Sequence, residues 1–413
     1  MTTDENVHYT RNTCRLCGSK DIPLVLPLEK IPVVTPNIGS LNEYDTENIN
    51  YAPIDLYQCQ NCQHIQLLDM IKPEFQYRNF KYKTTVSPGL PEHFITYAKD
   101  CIERLQLAPN SLVIEIGSND GTLLKAFKAQ GMKVLGIDPA REIARQATAD
   151  GVETIDDFFN TDVANFIVNK YGKADLVVAN NTIANIDDVK PFAEAIKMLI
   201  ATNSHFVFET SYGYDVIQDK LLDTIYHEHL SYFMVSPLVK FFDSLAMTLY
   251  DVQKIHKKGG SIRGWVQLCE GSQNISTSLA EFTEQESRLS SNNGIEQFKQ
   301  WINSCASEVN QIISTSPLKV STFGASVGSI TLLHQLKLGQ RLTVMYDDSP
   351  VVDSIFSQQH IIPVQHSDTM YDTEAQIVII LAWRYADRIL ARHAELVKRG
   401  WRFISILPEV RWL

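Results

Sequence analysis

Apolar positions along this chain fall into short continuous runs, separated by segments in which they recur every three or four residues. LVIEI at 112–116, KVLGID at 133–138, ADLVVANN at 174–181 and HFVFETS at 205–211 read as strands buried on both faces. Between the first two, Leu123, Leu124 and Phe127 mark a helix that Gly131 closes. An amphipathic helix precedes them over residues 93–105, REIARQATADG reads as another, and VETIDDFF as a further strand. The pattern returns near the C-terminus. VSTFGA, LTVMYDDS, AQIVIILAW and WRFISIL read as strands around the helices SITLLHQLKLG and RYADRILARHAELVKRG, after a polar helical segment over residues 279–313. Strand and helix alternating twice predicts an α/β protein with two doubly wound sheets.

The turn after LVIEI carries chemistry. A dinucleotide site needs closely spaced glycines and a bare helix N-terminus for a pyrophosphate. Here Glu115, Asp120 and Asp138 surround Gly117 and Gly121, with Asn119 in the same loop. Carboxylates repel phosphate and suit a cationic ammonium or sulfonium, and a ribose whose hydroxyls need acceptors. That is the polarity of S-adenosylmethionine, and Glu-x-Gly-x-x-x-Gly with an acid closing the next strand resembles the Class I methyltransferase motif. Ligands of such sheets sit beyond the carboxyl ends of the strands. Asp157 and Phe158, ending VETIDDFF, are therefore expected against the adenine, and Asn180 and Asn181 on the same edge. In the second unit Asp347 follows Gly324 by 23 residues, much as Asp138 follows Gly117 by 21. Its turn, GASVGS, offers hydroxyls and no carboxylate, so a nucleoside diphosphate is expected there.

A net charge of -11 argues against nucleic acid as a main partner. No apolar run approaches the roughly 20 residues of a membrane helix, and MTTDENVHYTRN has no signal-peptide pattern. A cytoplasmic enzyme with no membrane partner is the expectation. With 413 residues, two or three domains are expected.

Four of the seven cysteines form two close pairs, Cys14 with Cys17 and Cys59 with Cys62. Each two-residue gap lets a knuckle aim both thiolates at one ion, and two knuckles make a closed four-sulfur zinc site with a structural role. The 41 residues between Cys17 and Cys59 require an insertion, for which LPLEKIPVV and NYAPIDLYQC are extended enough. His64 competes with Cys62 as a ligand, and free or redox-active cysteines are the alternatives. The aromatic, basic stretch KPEFQYRNFKYKTTVSP reads as a connector. In DTIYHEHLSYF, His227 and His229 are wrongly spaced for a helical metal pair, which leaves general acid/base chemistry by Tyr226, Glu228 and His229. Which of them face a site stays open, since Tyr226 with His229 and Tyr226 with Glu228 both fit. Arg263, beyond the pair Gly259 and Gly260, is available to an anion or to solvent.

Taken together, the paired CxxC knuckles, IEIGSNDG, YHEHLSYF, the GGS-Ile-Arg turn and GAxxxGS resemble the three-domain sugar C-methyltransferases of deoxysugar pathways. The resemblance covers nearly the whole chain. It implies a zinc-binding domain over residues 1–75, a Class I Rossmann-like methyltransferase domain over 76–270, and a helical linker with a second, nucleotide-sugar-binding Rossmann-like domain over 271–413. It also implies a nucleotide-diphosphate 4-keto-deoxysugar substrate, thymidine-linked, methylated beside the keto carbon. His229 would act as base with Tyr82, supported by Tyr226, Glu228 and Asn181. Two departures bear on substrate choice: Asn185 stands where relatives often have histidine, and Lys257 and Lys258 separate His256 from the glycine pair. Rival readings are an O- or N-methyltransferase, on a small molecule or RNA, and a non-catalytic scaffold.

Overall fold

The computed structural model describes residues 7–33, 50–87, 89–255, 260–291, 293–350, 352–357 and 360–413. Pro88 and the segment from His256 to Gly259, with Lys257 and Lys258, lie outside them.

The strand pattern organises a seven-stranded central sheet. Its order is Thr154–Ile155, Lys133–Ile137, Leu112–Ile116, Ala174–Asn180, Ile200–Ser211, Ser261–Leu268, Met247–Ile255. The first five strands are parallel and the last two antiparallel. Alternate residues of the inner strands enter opposite layers: Val113, Leu176 and Val178 pack on one face, Ile114, Ile116, Val177 and Ala179 on the other. Two buried faces explain why these runs are continuously apolar. The helix Leu90–Leu105 covers the first face through Leu90, Phe94, Tyr97, Ala98 and Cys101. Strand order reverses between Leu112–Ile116 and Ala174–Asn180, and that switch point opens a crevice at their carboxyl ends.

The second sheet repeats the scheme as Ser354–Ser357, His360–His366, Leu342–Asp347, Val320–Phe323, Ile377–Ile380, Arg402–Ser405, Arg411–Trp412. Its five middle strands are parallel. The turn device is also the same. The Gly117 amide donates to Ile137 O and the Gly324 amide to Tyr346 O. Asp138 accepts from the amides of Asn119 and Ala140, each at 2.8 Å. Asp347 accepts from those of Ala325 and Ser349, at 2.9 and 2.8 Å. Two readings differ here. The helix expected across RYADRILARHAELVKRG is two helices, Ala386–Arg392 and Ala394–Lys398, because His393 turns its ring inward against Phe323 and Tyr371. The antiparallel pair Ser354–Ser357 with His360–His366 was not expected.

In the N-terminal region, Leu24–Leu26, Leu56–Gln58 and Ile65–Gln66 form a small sheet completed by Ser231–Tyr232, the segment just after His229. Leu26, Leu56 and Ile65 share one core with Leu222, Ile225 and Tyr232 and with Ile330, Leu333 and Leu336 of the C-terminal unit. No helix of the described residues is long and apolar enough to cross a membrane.

Candidate active site

A cavity of about 1360 Å³ opens at the switch point, between the glycine loop, the YHEHLSYF segment and the C-terminal unit. Of the residues singled out in the sequence, Glu115, Gly117, Asn119, Asp138, Asp157, Phe158, Asn180, Asn181, Tyr82, Tyr226, Glu228 and His229 line it. Asp120 and Gly121 do not. Asp120 accepts from Thr85 and Thr122, through the amide and hydroxyl of each. It ties the connector to the loop and to Thr122, the first residue of the next helix, instead of meeting a ligand. Gly121, at φ +72°, packs against Val152.

The loop backbone is specialised. Gly117 has φ +76°, and a Cβ there would stand 2.3 Å from Thr182 Oγ1, so no side chain fits. Asn119 and Asn181 also lie in the left-handed region, which asparagine tolerates best after glycine. Asn119 holds the connector, accepting from the Thr84 amide at 2.9 Å and donating to Tyr82 O at 2.9 Å. Asn180 Oδ1 accepts from the Glu209 amide, keeping the two strand ends together.

Glu115 suits a cationic ligand. Its carboxyl is buried, and Oε2 has no hydrogen-bond partner in the protein. Burial and the Asp138 charge hold it well above its ordinary range. The folded, ligand-free protein therefore keeps a proton that the unfolded chain releases near its ordinary value of 4.5, so stability declines as pH rises above 4.5 toward the folded value. Melting temperatures from about pH 5 to about pH 8 should fall more steeply for the wild type than for Glu115→Gln. Over the same interval the wild type should gain affinity for S-adenosylmethionine. Parallel curves would show that the carboxyl carries no such proton.

Past the short strand Thr154–Ile155, Asp157 and Phe158 do reach the cavity, but a residue from the connector has joined them. Arg78 donates to Asp157 at 2.8 Å, and its guanidinium lies 4.5 Å over the Phe158 ring. The sequence signal for Arg78 was the basic, aromatic character of its stretch.

YHEHLSYF is not helical, and Tyr226 with His229 is the pair that touches. His229 Nδ1 lies 2.8 Å from Thr224 O, a pure acceptor, so in the neutral ring Nδ1 carries the proton and Nε2 the lone pair. Tyr226 donates its hydroxyl to Nε2 at 3.0 Å. His227 faces away, buried, with Nε2 on Ala52 O. The turn before this pair is held by the C-terminal unit. Arg384 and Trp383 bind the Asp223 carboxylate, Thr331 donates to Ile225 O, and Gly328 packs against Asp223 O.

Arg263 is neither an anion site nor solvated. Its strand lies inside the sheet, and its guanidinium binds Glu209 and Asp100 over the Tyr97 ring. The Ser326 turn does line the cavity, with Ser326 capping the helix Val327–Gln335 through Ser329.

The four knuckle sulfurs all lie within 4.8 Å of one another, with Cys14–Cys62 at 3.6 Å and Cys17–Cys59 at 3.5 Å. Bonds of ~2.3 Å in a tetrahedron put sulfurs ~3.8 Å apart, so the set fits zinc. His64 is not in the cluster. It is buried, stacked on Phe233 and bonded through Nε2 to Ser231.

Three family models match in order along the chain: "Putative zinc binding domain" over residues 14–77, "Methyltransferase domain" over 92–247, and "C-methyltransferase C-terminal domain" over 256–408. The chain is a methyltransferase that carries these three domains in order. C-methyltransferase NovU of Streptomyces niveus is 27% identical over 404 residues, 96% of each chain. A solved S-adenosylmethionine-dependent methyltransferase of Clostridium acetobutylicum ATCC 824 aligns with 44% of this chain and 92% of its own, at 13% identity and a TM-score of 0.35. Magnesium protoporphyrin IX methyltransferase of Synechocystis PCC 6803, solved with bound SAH, aligns with 44% and 84%, at 14% identity and a TM-score of 0.34. The methyltransferase uses S-adenosylmethionine, for which the carboxylate-lined loop is suited, and its cysteine cluster is a zinc site.

Proposed function

We propose that this methyltransferase places a methyl group on the carbon beside the keto group of a nucleotide-diphosphate 4-keto-deoxysugar, at carbon 3, by way of an enolate. The observation that carries this reading is His229 Nε2. Its lone pair is fixed by the Thr224 carbonyl behind it, and it lies in the same cavity as the glycine loop. A neutral imidazole held in one tautomer is a base for a proton acidified by a neighbouring carbonyl.

Glu115, Gly117, Asn119, Asp138, Asp157, Phe158 and Asn180 would hold S-adenosylmethionine, which supplies an electrophilic methyl when bound. Asp120 and Gly121 shape that loop from behind. Tyr226 keeps its hydroxyl on Nε2 until substrate arrives. It then turns to the sugar, so that Nε2 meets the carbon-bound proton. Glu228 and Asn181 accept from sugar hydroxyls, and Tyr82 or Tyr226 donates to the carbonyl oxygen. The hydroxyl-lined N-terminus at Ser326 takes the diphosphate, with Arg384 at the same edge. Bringing both reactants into one cavity lowers the barrier by several kcal/mol, as in other well-oriented reactions.

The test is mass spectrometry of the protein incubated with S-adenosylmethionine and thymidine-diphospho-4-keto-6-deoxyglucose in deuterated water. Gain of one methyl, located on carbon by NMR, with deuterium at the same carbon in reactions lacking the methyl donor, supports the reading. A methyl on oxygen would replace it with O-transfer.

A further inference from the structure

A closed circuit of bonds joins the His229 segment to two other parts of the chain. Leu230, next to His229, donates its amide to Ala184 O at 2.8 Å, and its carbonyl accepts from the Leu67 amide at 3.0 Å. Ala184 lies in the turn Ile183–Asn185, and Asn181, Asn185 and Asp187 around it line the cavity. Leu67 follows the strand Ile65–Gln66, beyond the second knuckle. Arg15, next to Cys14, closes the circuit between Leu67 and Asp187. Its guanidinium donates to Leu67 O and, at 3.1 Å, to Gln66 Oε1, while its Nε lies 3.1 Å from Asp187 Oδ1. The Arg15 side chain is fully buried, and that of Asp187 is 15% exposed. The N-terminal strand reaches the same carboxylate: Tyr9 donates to Oδ2 at 3.2 Å and Arg11 to Oδ1 at 3.0 Å.

We propose that Asp187 is a positioning residue for methyl transfer, which through Arg15 sets the distance between the turn carrying Asn181 and Asn185 and the segment carrying His229. The proposal rests on the reading of His229 as the base. Stability is a poor reason for such a pair. Taking two charges out of water offsets much of their attraction, and apolar residues of similar volume often serve a fold as well. What apolar packing lacks is direction. The donors of a guanidinium are fixed in one plane, so Leu67 O, Gln66 and Asp187 are satisfied together only when the knuckle, the base segment and the turn stand in one arrangement. Arg15 is not among the residues lining the cavity, so its influence on a substrate passes through Asp187 and Leu67. A displacement of the turn by about 1 Å, too small to unfold anything, is enough to cost about 100-fold in rate.

Arg15→Met, Asp187→Asn and the double variant, each in the full-length protein, test this with S-adenosylmethionine and thymidine-diphospho-4-keto-6-deoxyglucose. Each single variant should lower kcat for methyl transfer, and slow deuterium exchange at the sugar carbon, by about 30–100-fold, with KM for the sugar nucleotide within about threefold of wild type. The double variant should lose no more than the worse single one, to within about threefold, because the two residues act as a unit. Full zinc occupancy and an affinity for S-adenosylmethionine within about twofold report an intact fold. The Leu230 amide, followed by NMR without any substrate, should lose protection by about tenfold or more in both single variants. The inference is overturned by a kcat within about threefold of wild type in Asp187→Asn, by losses that multiply in the double variant, or by unchanged Leu230 protection. A raised KM at wild-type kcat also overturns it, since Asp187 would then be touching the sugar nucleotide directly. If Arg15→Met does not fold, Asp187→Asn and the Leu230 amide decide alone. Wild-type protein without turnover would sink the keto-sugar reading, and Leu230 protection would still decide whether Asp187 and Arg15 hold the base segment.

Discussion

Replacing His229 with glutamine should lower methyl transfer by about 10⁴-fold, the upper end of what a positioned base contributes, while affinity for S-adenosylmethionine stays within about twofold. The separation follows from the architecture. In the proposed arrangement the cofactor is held by the loop after Leu112–Ile116, and the base is on a different segment, where His229 is bonded to Thr224 O and Tyr226. Glutamine is uncharged and close in size, so neither the turn nor its bonds to Arg384 and Thr331 are disturbed. Single-turnover methyl transfer and calorimetric titration with S-adenosylmethionine make the comparison. Near-normal turnover, or a parallel loss of cofactor binding, would remove His229 from the base position.

A comparably large effect is expected from the metal site, although it lies apart from the chemistry. Cys59→Ser should abolish zinc binding, lower the melting temperature, and reduce exchange and methyl transfer by more than about 100-fold. Structural zinc is worth on the order of 10 kcal/mol in small zinc peptides, so losing one of four thiolates is not a minor change. The link to the base runs through the backbone. Ile65–Gln66, just past Cys62, pairs with Ser231–Tyr232, and the Leu67 amide donates to Leu230 O. On the other knuckle Arg15, next to Cys14, is buried between Gln66, Leu67 O and Asp187, and Asp187 borders the cavity. S-adenosylmethionine should still bind, because none of its proposed contacts belongs to the knuckles. Metal analysis, calorimetry and exchange on one preparation test this. Wild-type exchange in zinc-free protein would sever the knuckle from the base.

Much of this was legible because it is local. LVIEIGSNDG shows its strand and its glycine turn within ten residues, with the helix directly after, and Asp138 follows its strand and Asp347 ends its own where the pattern put them. The four cysteines were legible because coordination restricts their spacing. What the pattern could not show is pairing across long separations. Arg263 meets Glu209 and Asp100, Arg15 meets Asp187, and Arg78 meets Asp157, each through side chains whose partners lie tens to hundreds of positions away. Asp120 shows the same limit in reverse. Its place in the loop suggested a ligand contact, and only the fold reveals that Thr85 and Thr122 occupy it.

The turn before His229 bears on how such enzymes can be recombined. Its carbonyls and Asp223 are gripped by the C-terminal unit, and the strand after it completes a sheet begun by the zinc knuckles. Swapping the central unit alone into a foreign host would thus transplant a shell that keeps its glycine loop but leaves His229 unfixed. A working chimaera has to move residues 222–232 with both of the surfaces that grip them, so crossover points belong outside the shared core and not at the edges of the central sheet.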